Sequence, residues 1–234
     1  MNKTVLITGV GKRLGLALAH HLISQNYTVI GTYRTSYPEL EQLKQQGIDL
    51  YQCDLTLVNE LEKLCAQIAH KYPQLRAIVH NASAWLPDDE SDPVATINQM
   101  MAIHVTAPYQ MNMALSKLLI NQQQTCDIIH VSDFVATKGS AKHIAYAASK
   151  AALDNLTLSF ATKLAPSVKV NSIAPALVMF NDNDSEEYKQ KAKAKSLMAI
   201  EGGVQEFLDT VTYLFDSNYV TGRILHLDGG RHLK

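Results

Sequence analysis

The stretch TVLITGVGKRLGLALAHHL, residues 4–22, passes from a β-branched apolar run through three glycines into apolar residues at helical spacing. A strand, a glycine-rich turn and a helix in that order open a dinucleotide-binding unit. Gly9, Gly11 and Gly15 let the backbone come close to a ligand, and the amides at the start of the helix attract a pyrophosphate. Alone the spacing is a weak signal, because glycine-rich turns between strand and helix are common. Its place in the chain gives it weight.

Six further apolar runs succeed it: TVIGTY (28–33), IDLYQ (48–52), RAIVH (76–80), DIIHVS (127–132), VKVNSI (168–173) and RILHLD (223–228). Between them lie helical patterns, LGLALAHHLISQ, LEKLCAQIAHKY and the long 96–119 region. Continuous apolar runs suit parallel strands buried on both faces. Strand and helix alternation over the whole length predicts a single Rossmann domain, residues 1–234, with a doubly wound parallel seven-stranded sheet and helices on both faces. The polar segment NDNDSEEYKQKAKAKS (181–196) lies after the sixth strand, at the edge where such folds bind ligands. It reads equally as part of a substrate lid over 180–200 or as a solvated helix laced with Glu and Lys.

With 234 residues, 47% of them hydrophobic, the chain can bury a substantial core in one large domain. Its 21 Lys and Arg against 22 Asp and Glu leave no electrostatic footprint for nucleic acid or an anionic membrane, so a small-molecule partner is expected. Cys53, Cys65 and Cys126 form no C-x-x-C pair and read as small core residues, which argues against disulfides or a metal site. No signal peptide is apparent and no segment approaches the roughly 18 apolar residues of a membrane span, so a soluble, cytoplasmic protein is expected.

The second strand ends in Arg34, Thr35 and Ser36. There NAD-binding folds place an acid, about twenty residues after the glycines, to bond the ribose hydroxyls. A guanidinium fork with hydroxyls suits a phosphorylated ribose, which predicts NADPH over NADH; the other reading of Arg34 is an exposed loop charge. CDL (53–55) and HNAS (80–83) come after the third and fourth strands, where this fold meets the adenine ring and the ribose next to the nicotinamide. Farther on, IIHVSDFVATKGSAKHIAYAASK (128–150) ends with Tyr146 and Lys150, four residues apart and so on one helix face, and carries Asp133 thirteen residues before the tyrosine. A nearby ammonium lowers a phenol pKa, and bringing it from about 10 toward neutrality needs about 4 kcal/mol, which makes Tyr146 a usable proton donor.

Together TGVGKRLG, CDL, HNAS, YAASK, VNSIAP and VTGRILHLDGG resemble the short-chain dehydrogenase/reductase family over nearly the whole chain. The resemblance implies a Tyr146–Lys150 catalytic pair and a homotetramer or homodimer. The departures narrow it. The family's middle glycine is here Arg13, its usual catalytic serine is Asp133, its helix-borne asparagine is His104, and NNAG has become HNAS followed by Ala84 and Trp85. KRLG, an aspartate thirteen residues before the tyrosine, and NAS with an aromatic two residues beyond resemble the pteridine reductase branch.

That branch implies an NADPH site made by Gly9, Arg13, Leu14, Gly15, Arg34, Thr35, Ser36, Asp54, Leu55, Asn81, Ala82, Lys150 and Pro175. It implies a substrate site of Arg13, Ser83, Trp85, Asp133 and Tyr146, with Arg13 touching both cofactor phosphates and pterin oxygen, and Trp85 stacked on the ring. Asp133, Tyr146 and Lys150 form the catalytic set. A ketone reductase needs a hydroxyl to hold a carbonyl oxygen, whereas a dihydropterin offers imine and amine nitrogens. A carboxyl accepts from N–H or, when protonated, donates. The expected reaction takes a hydride from NADPH to carbon 6 of a 7,8-dihydropterin, 7,8-dihydromonapterin foremost, and a proton to nitrogen 5 from Asp133, Tyr146 or a bound water. Dihydrofolate is a secondary substrate.

Several side chains keep two readings. His104 supports a water path toward Lys150 or is a core histidine; Arg231 reaches a neighbouring subunit's site or ends an exposed tail; His20 and His21 are structural or solvated. Two other functions compete. A carbonyl reductase of small ketones or 3-oxoacyl thioesters fits the general family pattern but not Asp133 or Arg13. A non-catalytic NADPH-binding regulator is open to the fold, against the joint presence of Tyr146 and Lys150.

Overall fold

The computed structural model describes residues 3–120 and 124–234. Its strands are β1 (Thr4–Thr8), β2 (Thr28–Tyr33), β3 (Asp49–Gln52), β4 (Ala77–His80), β5 (Cys126–Val131), β6 (Val168–Pro175) and β7 (Ile224–Leu227). They form one parallel sheet in the order β3-β2-β1-β4-β5-β6-β7. This is the predicted doubly wound sheet. The order reverses between β1 and β4, which opens a crevice at their carboxyl ends.

Period-two alternation sends neighbouring strand residues to opposite faces. Val5 and Ile7 pack with Leu18 and Leu22 of α1 (Arg13–Ser24) and with Phe207, Val211 and Leu214 of α9 (Val204–Asp216). On the other face Leu6, Ile78 and Ile128 meet Leu64 and Ile68 of α3 (Val58–Lys71), Met111 and Leu115 of α5 (Ala107–Leu115), and Phe160 of α7 (Ile144–Leu164). Among the described residues no helix is long and apolar enough to cross a membrane. All three cysteines are buried and free.

The 96–119 region departs from a single helix. Helix α4 (Pro93–Met101) starts on an Asp92 cap, whose carboxylate accepts from Ala95 N at 3.0 Å. A π-helical turn (Ala102–Thr106) then precedes α5, and a 3₁₀ turn (Ser116–Leu119) closes the region. The π turn adds a residue to the helical repeat, and it is the turn that carries buried His104.

Two polar groupings are wholly internal. Asp127, near the amino end of β5, is paired with Arg76 and, at 3.0 Å, with Lys169. Around the sheet centre, His80 Nε2 lies 2.8 Å from Asn112 Oδ1, Asn112 Nδ2 lies 3.2 Å from His130 Nε2, and His130 Nδ1 lies 2.8 Å from Thr157 Oγ1. Burial lowers both histidine pKa values, His80 to about 4, so the chain is held together by neutral rings.

The tightest constraint is at Gly15. A Cβ there would stand 2.1 Å from the Gly9 carbonyl oxygen and 2.5 Å from Asn81 Nδ2. Alanine ordinarily stabilises a helix relative to glycine. Here Gly15→Ala should instead destabilise by about 1–3 kcal/mol through overpacking, lowering the melting temperature by roughly 2–12 °C. Thermal denaturation checks the sign, and an unchanged or raised midpoint contradicts this packing.

Candidate active site

Asn81 fastens the switch point. Its backbone N–H donates to Thr8 Oγ1, and its side-chain amide donates to the carbonyls of Thr8 and Gly9, each at 3.0 Å. The end of β4 is thereby locked to the glycine turn. Gly9, with φ of 75°, and Val10 both donate to Thr32 O at 2.9 Å, which adds β2 to the same knot. Arg13 holds a φ of 55°, the left-handed conformation that a glycine at this place adopts freely, and it opens α1. The first turn of a helix leaves N–H groups without intrahelical acceptors. Beside the close glycine packing, that turn has the donors a phosphate group would need.

The other predicted cofactor residues, Lys150 apart, lie at or just beyond the carboxyl ends of the strands, or on the first turn of α1. Leu14 and Gly15 lie on the first turn of α1, and Arg34, Thr35 and Ser36 are exposed beyond β2. Asp54 and Leu55 lie just past β3, Ala82 just past β4, and Pro175 ends β6. Asp54 is already engaged, its Oδ1 accepting from Thr56 N at 3.0 Å and Thr56 Oγ1 at 2.7 Å. Arg13 is turned toward the 180–200 segment, donating to Asn181 Oδ1 and, at 3.2 Å, to Met179 O. That segment carries α8 (Glu186–Lys193), a solvated helix with Lys189–Glu186 and Lys191–Glu187 pairs at 2.7 and 2.5 Å.

Asp133 stands just past the end of β5, where Phe134 N donates to Pro175 O at 3.0 Å. Its Oδ1 accepts from Val135 N at 2.8 Å and its Oδ2 from the Tyr146 hydroxyl at 2.9 Å. Lys150, one turn farther along α7 and 2% exposed, donates to Val131 O at 2.8 Å, its Nζ 5.6 Å from the Tyr146 ring centroid. Asp133 and Tyr146 therefore meet, and Lys150 lies beside the Tyr146 ring.

Their electrostatics differ from the prediction. Burial, and then the charge of Asp133, push the Tyr146 hydroxyl well above its ordinary pKa. The expected lowering by Lys150 is overturned because burial penalises the phenolate, and because a carboxylate stands where the family's serine would add no charge. Burial also raises Asp133, against the Val135 amide and the Tyr146 hydroxyl. Burial lowers Lys150 to about 8, against the negative charges of Asp133 and Asp154. The carboxyl and phenol are thus biased toward holding protons, a useful bias where a proton must be delivered.

Ser83 and Trp85 border this centre on the loop after β4. Trp85, 65% exposed, stacks on His143 with centroids 4.1 Å apart, and His143 Nδ1 lies 2.9 Å from Leu86 O. Ser83 Oγ lies 2.8 Å from His104 Nε2. His104 is a core histidine, 1% exposed, edge-on to the Tyr146 ring at 5.4 Å.

A family model described as short chain dehydrogenase matches residues 3–192. The chain belongs to the short chain dehydrogenase family. Among relatives, the dihydromonapterin reductase of Klebsiella pneumoniae is 51% identical over 234 residues, 99% of this chain and 98% of that one. The dihydromonapterin reductase of an Escherichia coli strain is 50% identical over 232 residues, 98% of this chain and 97% of its own. The crystal structure of FolM alternative dihydrofolate reductase 1 from Brucella canis, complexed with NADP, superposes with a TM-score of 0.89 at 28% identity, covering 100% of this chain and 95% of that one.

Three supports of this short-chain dehydrogenase site were not legible in its motifs. Asp88 accepts from the amides of Ile144 and Ala145, at 2.6 and 3.1 Å, and so caps the helix that carries Tyr146 and Lys150. No local pattern in LPDDE signals that contact. Arg231 lies with its guanidinium over Phe134 of the same chain, 4.9 Å from the ring centroid, and its charge reaches Asp133. Asp154 accepts from Ser172 Oγ at 3.0 Å and supports the charge on Lys150.

The Lys150 shift yields a pH prediction. The ammonium is present below about pH 8 and is lost above it, so kcat/KM falls on the alkaline side. Asp154→Asn removes a negative charge that favours the ammonium and should move that limb to lower pH. A limb that stays in place, or moves upward, contradicts the assignment.

Proposed function

We propose that this chain is an NADPH-dependent reductase of 7,8-dihydropterins, with 7,8-dihydromonapterin as its substrate and dihydrofolate as a secondary one. The observation that carries the reading is the Asp133–Tyr146 hydrogen bond. A carboxyl occupies the position from which a ketone reductase presents a hydroxyl to a carbonyl oxygen, and dihydromonapterin reductases match at about half identity over nearly the whole chain.

NADPH, when bound, supplies the hydride. Gly9, Gly15 and the first turn of α1 suit its pyrophosphate, and exposed Arg34, Thr35 and Ser36 suit the phosphate on its adenosine ribose. Asp133 and Tyr146 hold the proton destined for nitrogen 5, and Lys150 keeps a positive charge behind them. Trp85 supplies a flat face for the pterin. The 180–200 segment closes over the substrate, and Arg13, bonded to it at Asn181 and Met179, couples it to the cofactor turn. The resemblance to the family also supports a homotetramer or homodimer, as do Tyr109 and Met113 on α5 and Leu158 on α7, apolar and about half exposed. Buried free cysteines suit a reducing cytoplasm.

Incubation with NADPH and a panel of 7,8-dihydropterins, dihydrofolate, small ketones and a 3-oxoacyl thioester, with loss of NADPH absorbance as the readout, tests the reading. Dihydropterins should be turned over with the highest kcat/KM. Preferential ketone or thioester turnover would make the chain a carbonyl reductase, and no turnover at all a binding protein. Arg34→Asp should shift the NADPH-to-NADH efficiency ratio toward NADH, because it removes a phosphate fork and adds a repelling carboxylate.

A further inference from the structure

His104 touches two serine hydroxyls at once. Its Nδ1 lies 2.8 Å from Ser149 Oγ and its Nε2 lies 2.8 Å from Ser83 Oγ. Ser149 Oγ is also 2.7 Å from the Tyr146 carbonyl oxygen. These contacts determine where each proton sits. A carbonyl only accepts, and a hydroxyl has one proton, so Ser149 gives its proton to Tyr146 O and must accept from His104. The imidazole proton is therefore on Nδ1. Burial, and then the charge of Lys150, hold the ring pKa down to about 2, so the ring carries no second proton at neutral pH.

Nε2 is then a bare lone pair and has to accept from Ser83. Ala84 O at 3.4 Å, at the limit of a hydrogen bond, and the Tyr146 hydroxyl are also in reach of Ser83 Oγ, but a 2.8 Å contact with a bare nitrogen needs a proton between the two atoms, and the Ser83 hydroxyl supplies it. The Ser83 proton is thus committed inward. What Ser83 turns toward the crevice is a pair of acceptor lone pairs.

We infer that His104 is a positioning residue: through Ser149 it fixes its own tautomer, and through that tautomer it makes Ser83 an acceptor-only subsite that reads an N–H group of the bound ring. The inference rests on the dihydropterin reading, since a pterin carries N–H donors and a ketone substrate carries only an oxygen acceptor at its reacting group. It also gives a physical sense to a histidine where the family has asparagine. Neutral imidazole joins a donor and an acceptor on opposite edges of one rigid ring and can span two hydroxyls.

The test combines a spectroscopic and a kinetic readout. In protein labelled with ¹⁵N-histidine, long-range ¹H–¹⁵N correlations of His104, identified by its loss in His104→Gln, should show Nδ1–H and bare Nε2 from pH 6 to 8. Ser149→Ala removes the side-chain acceptor that favours this tautomer, beside the Met100 backbone that also bonds the ring. It should populate Nε2–H, turn the Ser83 hydroxyl around and raise the dihydropterin KM about 10-fold, with kcat within a few-fold and NADPH affinity unchanged. Ser149→Thr keeps the hydroxyl and should restore both tautomer and KM. An Nε2–H ring or an imidazolium in the wild-type protein overturns the inference without any variant, as does a switched tautomer in Ser149→Ala with an unchanged KM. The tautomer is read without substrate. An Nε2–H ring therefore defeats the inference whatever the enzyme reduces, whereas absence of dihydropterin turnover defeats the functional reading whichever tautomer is found.

Discussion

The hydrogen bond from the Tyr146 hydroxyl to Asp133 joins the end of β5 to the first turn of α7. Most of the site exists to hold those two groups together in a dry place. The β5–β6 pairing sets where Asp133 leaves the sheet. Asp88 caps α7 from the loop after β4, so the same loop that bears Ser83 and Trp85 also sets the height of Tyr146. Lys150 anchors the next turn to the carbonyl of Val131. Burial makes ionisation of both partners unfavourable; the charge of Asp133 makes that of Tyr146 more so, while the Tyr146 hydroxyl partly offsets the effect on Asp133. A buried carboxyl beside a buried phenol is a poor place for two negative charges and a good place to keep a proton.

That constraint explains how a short-chain dehydrogenase framework can be directed to a ring nitrogen. Serine at position 133 would offer one neutral hydroxyl, whereas the carboxyl adds a second proton-binding group in contact with the tyrosine. Around it the polar groups are assigned rather than adaptable: Asn81 is consumed by Thr8 and Gly9, Asp54 by Thr56, and His104 by two serines. Such fully engaged groups do not need to reorganise when a ligand arrives, which is the condition for using their dipoles in catalysis.

The sheet was legible in the sequence because parallel strands must be buried on both faces, and each apolar run, 4–8 and 28–33 among them, stands out from its amphipathic neighbours. Asp133, Tyr146 and Lys150 were legible by spacing, since four residues along a helix share a face. Their charge states were not, because desolvation depends on what packs around them. The π turn at His104 escaped the helical pattern, as one inserted residue hardly disturbs an apolar periodicity. Asp88 and Arg231 act across 56 and about a hundred positions of chain, through contacts that exist only after folding.

On the proposed reading, the carboxyl at position 133, held by Tyr146, directs this site to a dihydropterin. The most direct measurement compares wild type with Asp133→Ser, which restores the family's usual hydroxyl, in kcat/KM for 7,8-dihydromonapterin at saturating NADPH. A loss of about 100-fold to 10,000-fold is expected, the usual contribution of a positioned proton-transfer group, with melting temperature and NADPH affinity retained. A serine variant that reduces the dihydropterin within a few-fold of wild type would contradict it.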